Sequence, residues 1–412
     1  MKIRVYSNNN IKGSVKISGS KNAALPIICA SLLNRNKVVL NNVPRISDVF
    51  DIITILKYLN CKINFKRNKL MIDSSTLNYR PLLLEECRKM RASYYFIGIF
   101  LSIYNKCEIL LPGGCNIGSR PIDYHLKAFS DMGYTYTIKD NLLKLEMEED
   151  KTSINITMTN KSVGASINAI LAATKFKRGS ISNLLIEPEC ESLIEFLNLL
   201  GYNYSINIEN VKIEPFINNN QKLKYTIIPD RIETMTFTVI GLLCGKIKIK
   251  KCNPNHLVYP LNILVKSGYK LTINKNCLYV YKSVGNHINI STEVYPGFPT
   301  DLQSIFGVLA SQTIENSNIV ENIFENRMQI YQDLISSGVN CKIENNKVFI
   351  KPGCVESNDY LVYDLRHGAA LIILSLIGDK YSIIDGFEIV NRGYENIIKK
   401  LRKLGIKIDV LT

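Results

Sequence analysis

Cys115 stands in the stretch LPGGCNIGSRP, behind Pro112, Gly113 and Gly114 and five residues before Arg120. A glycine-rich turn offers a thiol no core to pack in. A fixed guanidinium nearby lowers the thiol pKa or holds an anion beside it. A thiol so placed suits a general acid or a nucleophile. No histidine adjoins it in sequence to act as a thiol-protease base. His125, further on at a helical position, reads equally as a ligand contact or a surface residue. The chain has 11 cysteines, without CxxC spacing or Cys/His pairing. That pattern points to reduced thiols that pack as small apolar residues, and against zinc or a disulfide framework.

Other cations sit where helix chemistry argues against them. Six stretches open with polar residues and run into almost wholly apolar helical patterns: GSKNAALPIICASLL, MRASYYFIGIFLS, KSVGASINAILAAT, PDRIETMTFTVIGLLC, PTDLQSIFGVLASQT and DLRHGAALIILSLIG. Helices apolar on every side are buried on every side. At their starts, Ser162, Asp230 and Asp364 read as N-caps. Lys21, Arg91 and Arg366 do not, because a cation at a helix N-terminus opposes the macrodipole. An anion held between such residues resolves the conflict. Asn22, Gly164, Arg231 and Asp301 share these starts. A second set, Arg120, Arg327 and Arg392, precedes helix-stopping glycines by about twelve residues each. Three arginines at one repeat position suit bidentate binding of carboxylate or phosphate.

The elements that position these residues repeat. ILKYLNCKINF, LKAFSDMGYTYTI, LNLLGYNYSI, LVKSGYKLTI, LISSGVNCKI and LRKLGIKIDV share a helical pattern, a stop and an alternating strand. The stops, Asn60, Gly133, Gly201, Gly268, Gly338 and Gly405, recur about every seventy residues, too long a period for a solenoid. Each unit therefore has one buried helix, one amphipathic surface helix and strands. Six units in 412 residues imply an α/β chain of two domains with three units each. The strands at Ile11–Ile17 and Ile406–Val410 need partners and are expected to pair with each other.

Composition narrows the function. Net charge is +15, without a basic run or aromatic interleaving, which favours small anions over nucleic acid. Complete GxxxxGK[ST] and GxGxxG loops are absent, against a P-loop ATPase or a Rossmann enzyme. No apolar run is long enough to span a bilayer, and MKIRVYSNNN has no secretory h-region, so a cytoplasmic protein is expected.

Taken together, SGSKNAALP, MRASYYF, LPGGCNIGSRPIDYH, SVGAS, EPE, PDRIET, PTDLQ, IFENRM, DLR and NRGYE resemble the enolpyruvyl transferase family over essentially the whole chain. The resemblance implies a two-domain inside-out α/β barrel of six βαβαββ repeats. It assigns residues 1–20 and 230–412 to one domain and 21–229 to the catalytic-loop domain. It implies transfer of enolpyruvyl from phosphoenolpyruvate to the 3′-hydroxyl of UDP-N-acetylglucosamine, by addition and elimination. That reaction is the first committed step of bacterial peptidoglycan synthesis. No metal or organic cofactor is implied, nor nucleic acid or membrane, and a monomer is expected.

Carried over by position, Cys115 resembles the proton donor, and Asp301 the group that takes the sugar hydroxyl proton. Lys21 and Asn22 resemble contacts to phosphoenolpyruvate, and Arg120, Arg327, Arg366 and Arg392 the cations around it. Arg91, Arg120, Pro121, Ile122, Asp123, Tyr124, Ser162, Val163, Gly164, Asp301 and Ile323 resemble the UDP-sugar contacts. Asp364 positions its neighbours, and the glycine loop acts as a closing lid. His367, Met235 and the pair Asn160–Lys161 depart from the family pattern. Two rivals stay open. One is the sibling that uses shikimate 3-phosphate, disfavoured by Cys115 and RPIDYH. The other is an RNA-binding or RNA-end-processing protein of related architecture.

Overall fold

The computed structural model describes residues 1–112, 122–148, 151–217 and 223–411. Contacts divide the chain into a terminal unit, Met1–Ser18 with Pro229–Thr412, and an inserted unit of the described residues from Gly19 to Ile228. Each unit repeats one pattern: strand, buried helix, strand, surface helix and closing hairpin. One repeat keeps its parts in chain order: Asn289–Ser291, Thr300–Ala310, Ser317–Val320, Gln329–Ser336, Asn340–Glu344 and Lys347–Lys351. Its first two strands run parallel and its last two antiparallel.

Three repeats complete their sheets with strands from elsewhere in the chain. Ile11–Lys16 lies parallel to Gly245–Lys250, and Leu223–Thr226 parallel to Lys37–Asn41. Lys2–Tyr6 fills the place between Tyr381–Asp385 and Ile408–Leu411. The expected pairing of Ile11–Ile17 with the C-terminal strand is therefore not formed; Lys2–Tyr6 takes that place. Alternation marks a strand and its buried face but does not choose between two neighbours that bury the same face.

Buried helices form the middle of each unit and the sheets lie outside them. In the terminal unit Arg231–Cys244, Thr300–Ala310 and Leu365–Ile377 pack on one another. In the inserted unit Tyr95–Tyr104 packs on both Lys21–Ala30 and Val163–Ala173. All nine residues from Leu302 to Ala310 are buried, as an all-round apolar helix requires. The six residues read as helix stops all have positive φ, from 66° at Asn60 to 106° at Gly133. That is the left-handed C′ conformation glycine and asparagine tolerate. Cys29, Cys61, Cys87, Cys107, Cys190, Cys244 and Cys252 are buried and unbridged. Among the described residues no His/Cys/Asp/Glu group could hold a metal, and no helix is long and apolar enough to cross a membrane.

Candidate active site

The terminal unit gathers the carboxylate and arginines that the sequence places far apart. Asp364 caps Leu365–Ile377: its Oδ1 accepts from the Arg366 N–H at 2.7 Å and the His367 N–H at 3.1 Å. Asp230 caps Arg231–Cys244 likewise, accepting from Ile232 at 2.8 Å and Glu233 at 2.9 Å. The Asp364 cap sets the direction of Arg366, whose Nε and Nη2 donate to Asp301 Oδ2 at 3.1 and 2.8 Å. Arg327 Nη2 lies 2.9 Å from the other oxygen, Oδ1. Asp301 thus gives one oxygen to each arginine, and both arginines are about 95% buried (4% and 5% exposed). Burial pulls the Arg366 pKa down, but the Asp301 charge outweighs it and the pKa ends above its ordinary value. Arg366 is permanently cationic.

Arg327 also donates through Nη1 to the Thr300 hydroxyl at 2.8 Å, and Thr300 donates to Glu321 Oε2 at 2.8 Å. The other oxygen of buried Glu321 accepts from the Thr292 hydroxyl at 2.9 Å and the N–H groups of Ile323 and Phe324 at 2.8 and 3.1 Å. Glu321 therefore fixes the turn that presents Ile323, an exposed side chain. Arg327 Nε is buried and has no hydrogen-bond partner among the described residues. Arg392 ends the short helix Phe387–Arg392, which packs on the helix of Arg366.

The inserted unit carries the remaining described candidates. Ser20 caps Lys21–Ala30 by accepting from the Ala23 N–H at 3.4 Å, and its hydroxyl lies 3.5 Å from Glu189 of the EPE stretch. Lys21, the first residue of that helix, pairs with buried Asp48 at 2.7 Å; Asn22 follows, partly exposed. Asp48 answers the conflict of a lysine at a helix start with an anion from within the chain. Arg91 opens the turn Arg91–Tyr94, its guanidinium 5.5 Å from the Tyr94 ring centre. Ser162 caps Val163–Ala173, accepting from Ala165 at 3.4 Å, and leaves Val163 and Gly164 partly exposed. Ile122 precedes Asp123–Met132 without a side-chain cap, and the first residues of that helix, Asp123 and Tyr124, are exposed. Cys115, Arg120 and Pro121 lie outside the described residues.

His125 is not a surface residue. It is buried, with Nδ1 2.9 Å from Asn168 Nδ2, while Asn168 Oδ1 accepts from the Gly98 N–H at 3.2 Å. The Gly98 bond fixes the Asn168 amide so that its nitrogen donates to His125, and the imidazole proton is therefore on Nε2. Burial, and after it the charge of Arg91, pushes the His125 pKa down to about 3, so the ring is neutral. Gly98 is required there, since a Cβ would fall 2.7 Å from the Asn168 carbonyl oxygen. The Cβ missing from Gly164 would lie 3.4 Å from the imidazole, so His125 joins the start of Val163–Ala173 to the helix of Asp123 and Tyr124.

Asp48, Asn168 and Glu321 were absent from the residues singled out in the sequence. Only Asp48 left a local trace, an acid in the first turn of Ser47–Tyr58, and that reads as ordinary dipole compensation. Among the departures, Met235 is fully buried, Lys161 pairs with Glu209 at the surface, and His367 is buried against Asp333.

A family model described as EPSP synthase (3-phosphoshikimate 1-carboxyvinyltransferase) matches residues 5–401. A UDP-N-acetylglucosamine 1-carboxyvinyltransferase of Pelagibacter ubique is 37% identical, covering 99% of both chains. A protein of the same name from Buchnera aphidicola is 36% identical over the full length of both. In solved structures, the enolpyruvyl transferase NikO from Streptomyces tendae superposes with a TM-score of 0.89 at 17% identity, covering 99% of this chain and 98% of that one. An EPSP synthase from Acinetobacter baumannii gives 0.76 at 13% identity, covering 99% and 100%; both neighbours bear on the fold alone. Five four-stranded sheets and one of three strands among the described residues, arginines converging on one carboxylate and matches along nearly the whole chain agree: this chain belongs to the enolpyruvyl transferase family, among its UDP-N-acetylglucosamine 1-carboxyvinyltransferases.

Proposed function

We propose that the chain transfers the enolpyruvyl group of phosphoenolpyruvate to the 3′-hydroxyl of UDP-N-acetylglucosamine and releases phosphate. The observation that carries this reading is Asp301 between buried Arg327 and Arg366, in a chain 37% identical to a relative of that name. Arg327 keeps a buried N–H without a hydrogen-bond partner among the described residues, a donor an anionic oxygen would satisfy. Phosphoenolpyruvate brings a carboxylate and a phosphate to such donors.

The chemistry then runs in two steps. Cys115 gives a proton to the methylene carbon, leaving an oxocarbenium-like centre at C2. The sugar oxygen bonds to C2 while its proton passes to Asp301, forming a tetrahedral ketal. In the second step the new methyl group returns a proton to the Cys115 thiolate, the carbon–carbon double bond reforms, and the bond from C2 to the phosphate oxygen breaks as phosphate leaves. Lys21, Asn22, Arg120, Arg327, Arg366 and Arg392 hold phosphoenolpyruvate. Arg91, residues 120–124, Ser162–Gly164 and Ile323 hold the UDP-sugar. Asp301 serves as a base only when its arginines turn to the incoming anion, since a carboxylate held by two guanidiniums is a poor proton acceptor. On this reading residues 1–20 with 230–412 form one domain and 21–229 the other. The chain works as a monomer in the cytoplasm, at the first committed step of peptidoglycan synthesis and so upstream of cell shape and division.

The test is phosphate release from phosphoenolpyruvate with UDP-N-acetylglucosamine or shikimate 3-phosphate as acceptor, with mass spectrometry of the product. Release with the UDP-sugar alone, and an enolpyruvyl-UDP-sugar mass, is the expected result. Release with shikimate 3-phosphate alone would assign the chain to the sibling activity, and release with neither would refute both.

A further inference from the structure

Two consecutive residues at the start of Leu365–Ile377 reach in different directions. Arg366 reaches Asp301, and His367 reaches Asp333, with Nε2 2.6 Å from Asp333 Oδ2. Asp333 belongs to Gln329–Ser336, the helix that begins two residues after Arg327. The two arginines that divide Asp301 therefore stand at the starts of two helices, and one side-chain bond ties those helices together.

That bond is specified tightly. The His367 ring is buried, and its Nδ1 accepts from the Tyr363 N–H at 3.2 Å. With Nδ1 an acceptor, Nε2 carries the proton and donates to Asp333. The His367 backbone N–H is held at the same time by the Asp364 cap, at 3.1 Å. The residue is fixed at its backbone, at one ring nitrogen and at the other, which leaves the ring little freedom to turn.

We propose that His367 is a positioning residue: its bond to Asp333 sets the spacing of the two helix starts, and so the way Arg327 and Arg366 share Asp301. This rests on the reading of that cluster as part of the reaction site. Hydrogen bonds of 2.8 to 3.1 Å leave little slack. A shift of about 1 Å between the helices would break one contact, and misplacement of that size can cost about 100-fold in rate. The bland alternative is that His367 fills space and nothing more.

The test compares His367→Met, which keeps bulk and loses the donor, with His367→Gln, whose amide N–H can still reach Asp333. In the full-length enzyme H367M should lower kcat by about 10- to 100-fold and raise KM for phosphoenolpyruvate. KM for UDP-N-acetylglucosamine should stay within about two-fold, and H367Q should recover most of kcat. Asp333→Leu, which removes the acceptor at similar size, should match H367M, and the double variant should be no worse than either single one. Wild-type kinetics in H367M with only a lowered Tm, or no recovery in H367Q, would overturn the proposal. A crystal structure of H367M decides it independently of substrate. At least one Asp301–arginine contact should lengthen beyond hydrogen-bond range, and an unchanged cluster overturns the claim. If the wild-type protein is inactive with both acceptors, the functional reading fails while the structural arm still decides this one.

Discussion

Arg366 places two guanidinium nitrogens, Nε at 3.1 Å and Nη2 at 2.8 Å, on one oxygen of Asp301. Arg327 holds the other oxygen at 2.9 Å, so the carboxylate is bound at both ends by buried cations. On the proposed reading, an anionic substrate competes with Asp301 for the same donors, and its arrival releases the base. Asp301→Asn should lower kcat by about 100- to 10,000-fold, the range for a lost general base. Phosphoenolpyruvate should bind the variant at least as tightly as the wild type, because the arginines lose a charged internal competitor. Steady-state kinetics and a phosphoenolpyruvate titration check both halves, and weaker binding would contradict the competition.

Arg366→Lys keeps the charge and loses the fork. An ammonium cannot reproduce two parallel contacts from a fixed plane. One lost charge-assisted hydrogen bond is worth about 1.5–3 kcal/mol, so KM for phosphoenolpyruvate should rise at least about ten-fold. KM for UDP-N-acetylglucosamine should change far less. Equal rises in both constants would mean that the arginine supports the whole site and not the anion.

Lys21 and Asp48 separate stability from activity. Lys21→Met removes a cation 2.7 Å from the buried Asp48 carboxylate and should lower stability by up to about 3–5 kcal/mol. Lys21→Met with Asp48→Asn should recover much of that stability in denaturant unfolding. Activity should stay low in both variants, since neither restores a cation for phosphoenolpyruvate. Full activity in the double variant would reduce Lys21 to a structural partner of Asp48.

His125 makes the inserted unit sensitive to acid. Its folded pKa of about 3 lies below the ordinary value of 6.5. Above pH 6.5 the ring is neutral in both states and its contribution is complete. Between pH 6.5 and 3 the unfolded chain takes a proton that the native one refuses, so stability falls as pH falls. The slope reaches about 1.4 kcal/mol per pH unit. In denaturant unfolding at pH 7.5, 6 and 5, wild type should lose its advantage over His125→Asn as acid is added. A gap that stays constant across pH would refute the buried neutral ring.

What could be read in the sequence was local. Asn60 and the five glycines mark helix ends because positive φ is a property of one residue. Ser162, Asp230 and Asp364 cap their helices because a cap binds only two or three residues ahead. Lys21 and Arg366 stood out by violating the dipole rule, and the structure answers the first with buried Asp48 and the second with partly exposed Asp301. Which carboxylate answers which cation could not be read. Asp301 and Arg366 are 65 positions apart, and no spacing rule joins them. Glu321 and Asn168 act through bonds between different elements, and His125 is buried by a helix some 40 residues away in sequence (a separation of 43 to Asn168). The strand pairing missed at Ile11–Ile17 failed for the same reason.

Lys2–Tyr6 lies between strands that end near residue 385 and begin at 408. A ribosome therefore makes that strand long before either of its neighbours. At about 5–20 residues per second the first strand waits tens of seconds for partners. The inserted unit, whose strands lie within residues 37–226, has all it needs much earlier. Its core can close while the N-terminal strands are still unpaired. Birth order thus makes residues 37–226 the earlier folder, and leaves Lys2–Tyr6 exposed to holdase chaperones and to proteases until residues 381–411 have been made.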